Sequence, residues 1–170
     1  MENLIFFLAT SFALRFSPKR KSKNSFIEKT GCSVLLPSKN SFKSITTASG
    51  DQLHFNKYFE KGVTYGIICI QLNRHYEMKQ AVSLLARYIN KLKRSFYVLH
   101  NTGLQAGTDW NSPLSKSIVD YWQDEDQKDW KVKGYTDGST MAILYVKNIT
   151  QIEVRQQDLF LDSFHFKAAS

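Results

Sequence analysis

Five aromatic side chains are the residues of this sequence best suited to binding a ligand. They lie in a polar loop and in two predicted strands of the C-terminal half: Trp110, Trp122, Trp130, Tyr121 and Tyr135. Such rings can line a groove for a sugar or a peptide, but strand aromatics also pack against one another across neighbouring strands. Packing is the commoner role. We therefore treat the five as ligand-binding candidates and keep a buried cluster as the alternative.

Acidic side chains are concentrated in one short segment, which contains Asp124, Glu125, Asp126 and Asp129. Neighbouring carboxylates can bind a divalent cation, but the residue spacing of a calcium-binding loop is absent. A solvated turn between two strands explains the segment better. We predict no metal site here. Because the sequence contains no nucleotide-binding glycine motif, we also predict no cofactor.

The two cysteines, Cys32 and Cys69, each lie among apolar residues. Free cysteine is among the most buried residue types, so two buried thiols are the simplest interpretation. A disulfide between two strands is the alternative in an oxidising compartment, but the sequence cannot place the two Cα atoms. The four histidines, His54, His75, His100 and His165, are scattered and show no metal-ligand spacing.

Motifs of the common enzyme classes are absent from the sequence. It contains no GxSxG, no HExxH and no Walker-type glycine loop. The long polar loop at 101–113 is the one place where an unrecognised enzyme site could form. We predict that the protein is not an enzyme, and a small enzyme with a site near this loop remains an alternative.

Two adjacent segments determine the predicted fold. Val63–Leu72 is an apolar run rich in β-branched residues, which is typical of a strand buried on both faces. In the next segment, about 76–95, apolar residues recur three and four apart and predict one long helix, with Leu85 and Ile89 on its buried face. Neither element is stable alone in water. We therefore expect the helix to lie across the sheet that contains the strand.

The remaining elements are predicted to be mostly strands joined by short turns, of which Asp137–Gly138 is a strong hairpin signal. Short turns favour antiparallel pairing, so the class is α+β with a mostly antiparallel sheet. A short second helix is expected within 151–162, followed by a docked apolar C-terminus in which Phe164 and Phe166 face the same side. The further strands are predicted at 32–37, 42–48, 52–59, 96–100, 118–122, 130–135 and 140–146.

The N-terminal residues 1–25 are predicted to be a signal-like leader and a basic linker. Leu4–Leu14 is too short to span a bilayer as a helix and has the length of a secretory signal core. Its flanks are reversed for a signal, because Glu2 precedes it and basic residues follow it. A leader that stays at the membrane surface is therefore the alternative to export. Any membrane contact is expected only through this segment.

The charge distribution argues against nucleic-acid binding. The formal net charge is +8, but residues 1–31 alone carry six basic and two acidic side chains. Half of the excess thus lies in the N-terminal segment, and the remaining chain is only mildly basic. A nucleic-acid-binding domain concentrates positive charge on a folded face.

Several short motifs resemble those of PsbP-like domains, and more closely their exported bacterial relatives of uncharacterised role. These motifs are Ser33–Pro37, Thr46–Gly50, the tyrosine-containing strand before the long helix, the glycine-bearing loop after it, and Phe160–Phe164. The resemblance covers roughly 32–166. It implies an α/β/α sandwich in a single domain at 26–170, and it carries over no metal or photosystem-binding residues.

The resemblance also implies a function class. The chain is expected to be a non-enzymatic exported or envelope-associated domain that binds or scaffolds another component, with a cell-envelope protein as its partner. The alternative from the residues themselves is a ligand- or polymer-binding module that uses the aromatic face. Fold likeness alone does not establish function.

Overall fold

The computed structural model describes residues 23–36, 41–107 and 114–167. Leu4–Leu14, most of the predicted linker and Trp110 lie outside the described residues. The described chain contains ten strands and two α-helices, α1 (Met78–Ser95) and α2 (Val154–Leu161). The strands are β1 (Lys23–Phe26), β2 (Ser33–Leu36), β3 (Lys43–Thr46), β4 (Gln52–Glu60), β5 (Val63–Gln71), β6 (Val98–Asn101), β7 (Gln105–Gly107), β8 (Lys116–Asp124), β9 (Asp129–Thr136) and β10 (Thr140–Lys147).

Eight of these strands form one sheet in the order β3-β4-β5-β10-β9-β8-β6, and β7 also pairs with β8. Every strand pairing in the described chain is antiparallel, which confirms the α+β prediction. The predicted central strand is β5, and it pairs with β4 and β10. Its side chains alternate between two apolar layers: Ile68 and Ile70 face one, and Ile67 and Cys69 face the other.

Helix α1 covers one face of the sheet, as its spacing predicts. Leu85 and Ile89 are fully buried there against β9. The close approach requires a glycine, because a Cβ at Gly134 would lie 2.9 Å from Ile89 Cδ1 and 3.1 Å from Leu85 Cδ1. The helix begins after the predicted position 76, since the backbone N–H of Tyr76 donates to the carbonyl of Gly138 at 2.8 Å and keeps that residue in the preceding turn.

The C-terminal end of α1 corrects one predicted strand boundary. The strand expected from Phe96 begins at Val98, because the N–H of Phe96 still donates to the carbonyl of Leu92 at 2.9 Å. Tyr97 then adopts a left-handed conformation with φ of 53° that ends the helix. The loop predicted from residue 101 is also shorter than expected, because β7 occupies part of it. Among the described residues, no helix is long and apolar enough to cross a membrane.

The opposite face of the sheet is covered by α2 and by the separate β1–β2 hairpin. The predicted linker is wrong at its end, since Lys23–Ser25 belong to β1. The sequence did not predict this strand because most of its side chains are polar. Strand β1 makes all its backbone pairings with β2 and therefore does not need an apolar sequence. The short helix predicted within 151–162 is α2, which follows a 3₁₀ turn at Ile149–Gln151.

The C-terminal residues dock on this face, as predicted. Phe160, Leu161 and Phe164 are buried in the core layer. Phe166 lies on the same side as Phe164, with ring centroids 5.0 Å apart in an edge-on contact. His165 forms a two-hydrogen-bond bridge with Ser33, at 3.0 and 2.9 Å, which attaches the C-terminal segment to β2.

Candidate functional site

The candidate aromatic residues do not form one exposed groove in the described structure. Trp122 and Trp130 are directly opposite each other on β8 and β9, with ring centroids 6.0 Å apart, and both are buried beneath α1. Tyr135 is buried on the other face, where its hydroxyl donates to the carbonyl of Leu161 at 2.7 Å. Of the four candidates that the structure describes, only Tyr121 remains exposed, at 38%. The described candidates therefore do not form the predicted groove, and three of them pack in the core, as the alternative interpretation expected.

The acidic segment forms a hydrogen-bonded turn around the buried carboxylate of Asp124. Its Oδ1 accepts the backbone N–H groups of Asp126 and Lys128, at 3.0 and 2.9 Å. Its Oδ2 accepts the indole N–H of Trp130 at 3.0 Å and lies 2.5 Å from Lys147 Nζ. Burial alone would raise the pKa of Asp124, but the contacts with Lys147, Lys128 and Trp130 together lower it. This carboxylate therefore stabilises the β8–β9 turn.

None of the described residues forms a group of three or more histidine, cysteine, aspartate or glutamate side chains suited to a metal ion. In the acidic segment, both carboxylate oxygens of Asp124 already have protein partners. Its carboxylate accepts protein N–H groups on both oxygens and balances its charge with a lysine.

A second buried carboxylate lies beside the part of the 101–113 loop that the structure describes. Asp120 has a fully buried side chain, and its Oδ2 forms an ion pair with Lys93 Nζ at 2.6 Å. Its Oδ1 accepts the hydroxyl of Thr102 at 3.2 Å and the backbone N–H of Tyr121 at 2.9 Å. Lys93 also donates to Asn101 Oδ1 at 3.1 Å. The network connects α1 to β6 and β8 and positions the start of the loop.

One exposed surface is the face of β6 and β8 directed away from α1. We call it the β6–β8 face and define it by Leu99, His100, Tyr121 and Gln123. The β6–β8 register shifts between Val98 and His100, so Leu99 is the extra residue of a β-bulge. The bulge leaves Leu99 64% exposed.

Tyr121 forms the inner border of the β6–β8 face and connects it to α2. Lys131 Nζ lies 5.6 Å from the centre of the Tyr121 ring and 2.6 Å from Asp158 Oδ1. Burial would lower the pKa of Lys131, but its hydrogen bond and ion pair with Asp158 raise it, so this lysine stays charged beside the ring. The face thus combines an exposed leucine, an exposed histidine and an aromatic ring.

Strand β6 lies at one end of the sheet, and in the ranges 23–36, 41–107 and 114–167 no strand pairs with its outer edge. An edge strand presents backbone N–H and C=O groups that can pair with a further chain. Sequence reasoning missed Leu99 because Val98–Asn101 reads as an ordinary short strand. The bulge that exposes the leucine follows from the pairing with β8.

No model of a known protein family matches the chain, and no curated protein matches it.

Proposed function

We propose that this chain is a non-enzymatic, exported or envelope-associated domain that binds a protein of the cell envelope through the β6–β8 face. The order of short motifs that resembles PsbP-like domains supports this class, and the α+β architecture is consistent with it. The apolar Leu4–Leu14 segment supports export.

The observation that carries the binding proposal is the exposure of Leu99 on an edge strand. A single exposed leucine is common on protein surfaces, but this one lies on a bulged edge strand, and the neighbouring strand β8 carries Tyr121 two positions from Gln123, the residue that pairs with His100. Tyrosine is enriched in interface cores, where its ring provides apolar contact and its hydroxyl a hydrogen bond. The combination favours a protein partner over a small molecule.

The chemistry of the edge indicates the form of the partner segment. An extended segment added beside β6 would accept and donate backbone hydrogen bonds along the strand, and its side chains would alternate across the sheet. Covering the exposed part of Leu99 would add about 1–2 kcal/mol from apolar burial. We therefore propose an extended segment with an apolar side chain placed to cover Leu99.

Photo-crosslinking in the source cell tests this surface. A photoreactive residue at position 99 should give one discrete protein adduct, and the same residue at position 159 should not. Leu159 is the matched control because it is exposed at 58% and lies on α2 instead of β6. Leu99→Lys should abolish co-purification of the crosslinked partner, whereas Leu159→Lys should not. Equal adducts at both positions, or none at position 99, would contradict the proposed surface.

Export is tested separately by N-terminal sequencing of the protein from its source cell. We expect the mature chain to begin between Phe16 and Ser25, outside the cytoplasm. A start ahead of Lys23 would leave β1 intact. An intact Met1 or Glu2 in a cytoplasmic fraction would refute export. It would not affect the proposed binding surface, which the crosslinking experiment tests separately.

A further inference from the structure

The positive charge of the folded part of the chain is concentrated on helix α1. The ranges 23–36, 41–107 and 114–167 contain 18 basic and 13 acidic side chains. Five of the basic residues and none of the acidic ones lie within Met78–Ser95. The other described residues carry 13 basic and 13 acidic side chains, so their charges balance. The whole positive excess of the described chain therefore belongs to one helix.

Three of the five basic residues lie on the side of α1 opposite the core. Lys79, Arg87 and Arg94 are exposed there, and we call these three residues the α1 basic face. The buried stripe of the helix consists of Ala81, Leu85, Ile89 and Leu92. At about 100° per residue, the three basic positions fall within a sector of about 80° that is centred opposite this stripe. The face is about 22 Å long, since 15 residues separate its two ends at about 1.5 Å each.

The α1 basic face has no acidic partner within the described part of the chain, where none of its three residues forms an ion pair. The other two basic residues of α1 do have contacts. Lys93 forms the ion pair with Asp120, and Lys91 Nζ lies 5.8 Å from the centre of the Tyr88 ring. Acidic residues three or four positions away are the usual partners on a helix surface, and α1 contains none. Such a row of positive charge is complementary to an anionic surface.

We propose that the α1 basic face binds the anionic headgroups of a phospholipid bilayer and holds the domain at the membrane surface. A bilayer presents its negative charge as a plane, so all three side chains can contact headgroups at once. A helix that reads DNA must enter a groove, whereas α1 is packed on the sheet from Ala81 to Leu92. Stacking of single-stranded bases needs exposed rings, and Tyr88, the one aromatic residue of α1, is half-buried.

The choice of a membrane over a nucleic acid also rests on the envelope location proposed above. The β6–β8 face is directed away from α1, so a domain bound to lipid through α1 presents the β6–β8 face on its other side. A protein partner and the membrane can therefore be bound at the same time. The sequence predicts membrane contact only through residues 1–25, and the α1 basic face adds a contact in the folded domain.

Cosedimentation of the purified full-length protein with vesicles tests the proposal. The vesicles contain either phosphatidylcholine alone or phosphatidylcholine mixed with phosphatidylglycerol. We expect binding to the mixed vesicles only, and it should weaken as salt is added. Each lysine or arginine beside an anionic bilayer strengthens binding about fivefold. The triple variant Lys79→Gln, Arg87→Gln, Arg94→Gln should therefore bind on the order of 100-fold more weakly than the wild type.

The matched control is the triple variant Lys61→Gln, Lys116→Gln, Arg155→Gln. These three residues are exposed and lie outside α1, so the control loses the same net charge from other parts of the surface. It should bind the mixed vesicles nearly as well as the wild type. Acetylation of lysines, followed by mass spectrometry, needs no variant. In the wild-type protein, the mixed vesicles should slow the acetylation of Lys79 and leave that of Lys61 unchanged.

The proposal would be overturned by an equal loss of binding in the two triple variants, by binding to phosphatidylcholine alone that equals binding to the mixture, or by acetylation of Lys79 that the mixed vesicles do not slow. Tighter binding to a DNA duplex that depends on the same three residues would assign the α1 basic face to a nucleic acid. Failure to bind vesicles, together with a discrete protein adduct at position 99, would refute this inference and support the proposed function. The opposite pair of results would refute the β6–β8 face and support the lipid contact.

Discussion

The contact between α1 and β9 gives the sharpest test of the fold. In the structure, a methyl group at position 134 would lie 2.9 Å from Ile89 Cδ1, closer than carbon atoms tolerate. Gly134→Ala should therefore overpack this site, at a cost of about 1–3 kcal/mol, from which the lower chain entropy of alanine in a strand subtracts about 0.5–1 kcal/mol. Ile89→Val removes only the Cδ1 atom and should cost about 0.5–1.5 kcal/mol alone.

The double variant separates this geometry from a general loss of stability. Since Ile89→Val removes the atom that the new methyl group meets, the two changes together should cost about 1 kcal/mol less than their sum. Arg87→Ala is the control because Arg87 is exposed on α1, and its effect should add to that of Gly134→Ala. Urea denaturation of the single and double variants measures these energies. Strict additivity of Gly134→Ala and Ile89→Val would show that the helix does not approach β9 as described.

Three further predictions concern other parts of the fold. Asp120→Asn should destabilise the protein by about 3–5 kcal/mol because it leaves the Lys93 charge uncompensated, and addition of Lys93→Met should recover part of the loss in a denaturation experiment. Asp124→Asn should reduce the thermal midpoint at neutral pH. The lowered pKa of Asp124 contributes stability that is present above the ordinary aspartate range and lost as the pH falls through the folded-state value, so the difference from wild type should narrow in acid. Truncation after Gln157 removes Phe160 and Phe164 from the core and should give an insoluble or molten product, whereas a soluble fragment that melts cooperatively near the full-length midpoint would contradict a closing role for this segment.

The parts of the fold that sequence predicted are those with strong periodicity. The helix spacing identified Leu85 and Ile89 as core residues, and the apolar run at Val63–Leu72 identified the central strand. In both cases a pattern within one continuous segment of the sequence predicts which side chains are buried. Local turn chemistry likewise placed the hairpin at Asp137–Gly138, between β9 and β10.

The candidate site was harder to predict because it depends on tertiary contacts. The alternation of side chains along a strand places Trp122 and Trp130 on the same face only when the β8–β9 register is known. It also does not show which face of the sheet α1 covers. The exposure of Leu99 follows from a bulge that needs β8 as its partner. Each feature combines residues from elements that no local pattern relates.

The central pairing of the sheet has a consequence for synthesis of the chain. Strand β5 pairs with β10, so Gln71 meets Thr140 at one end and Thr64 meets Lys147 at the other. A pairing of such high contact order forms slowly, because a long loop must close before the contacts are gained. During translation, the apolar strand β5 leaves the ribosome well before β10 and remains without this partner until β10 is made. A nascent chain stalled before Thr140 should therefore bind holdase chaperones and resist compact folding, and one that has released Lys147 from the ribosome tunnel should not.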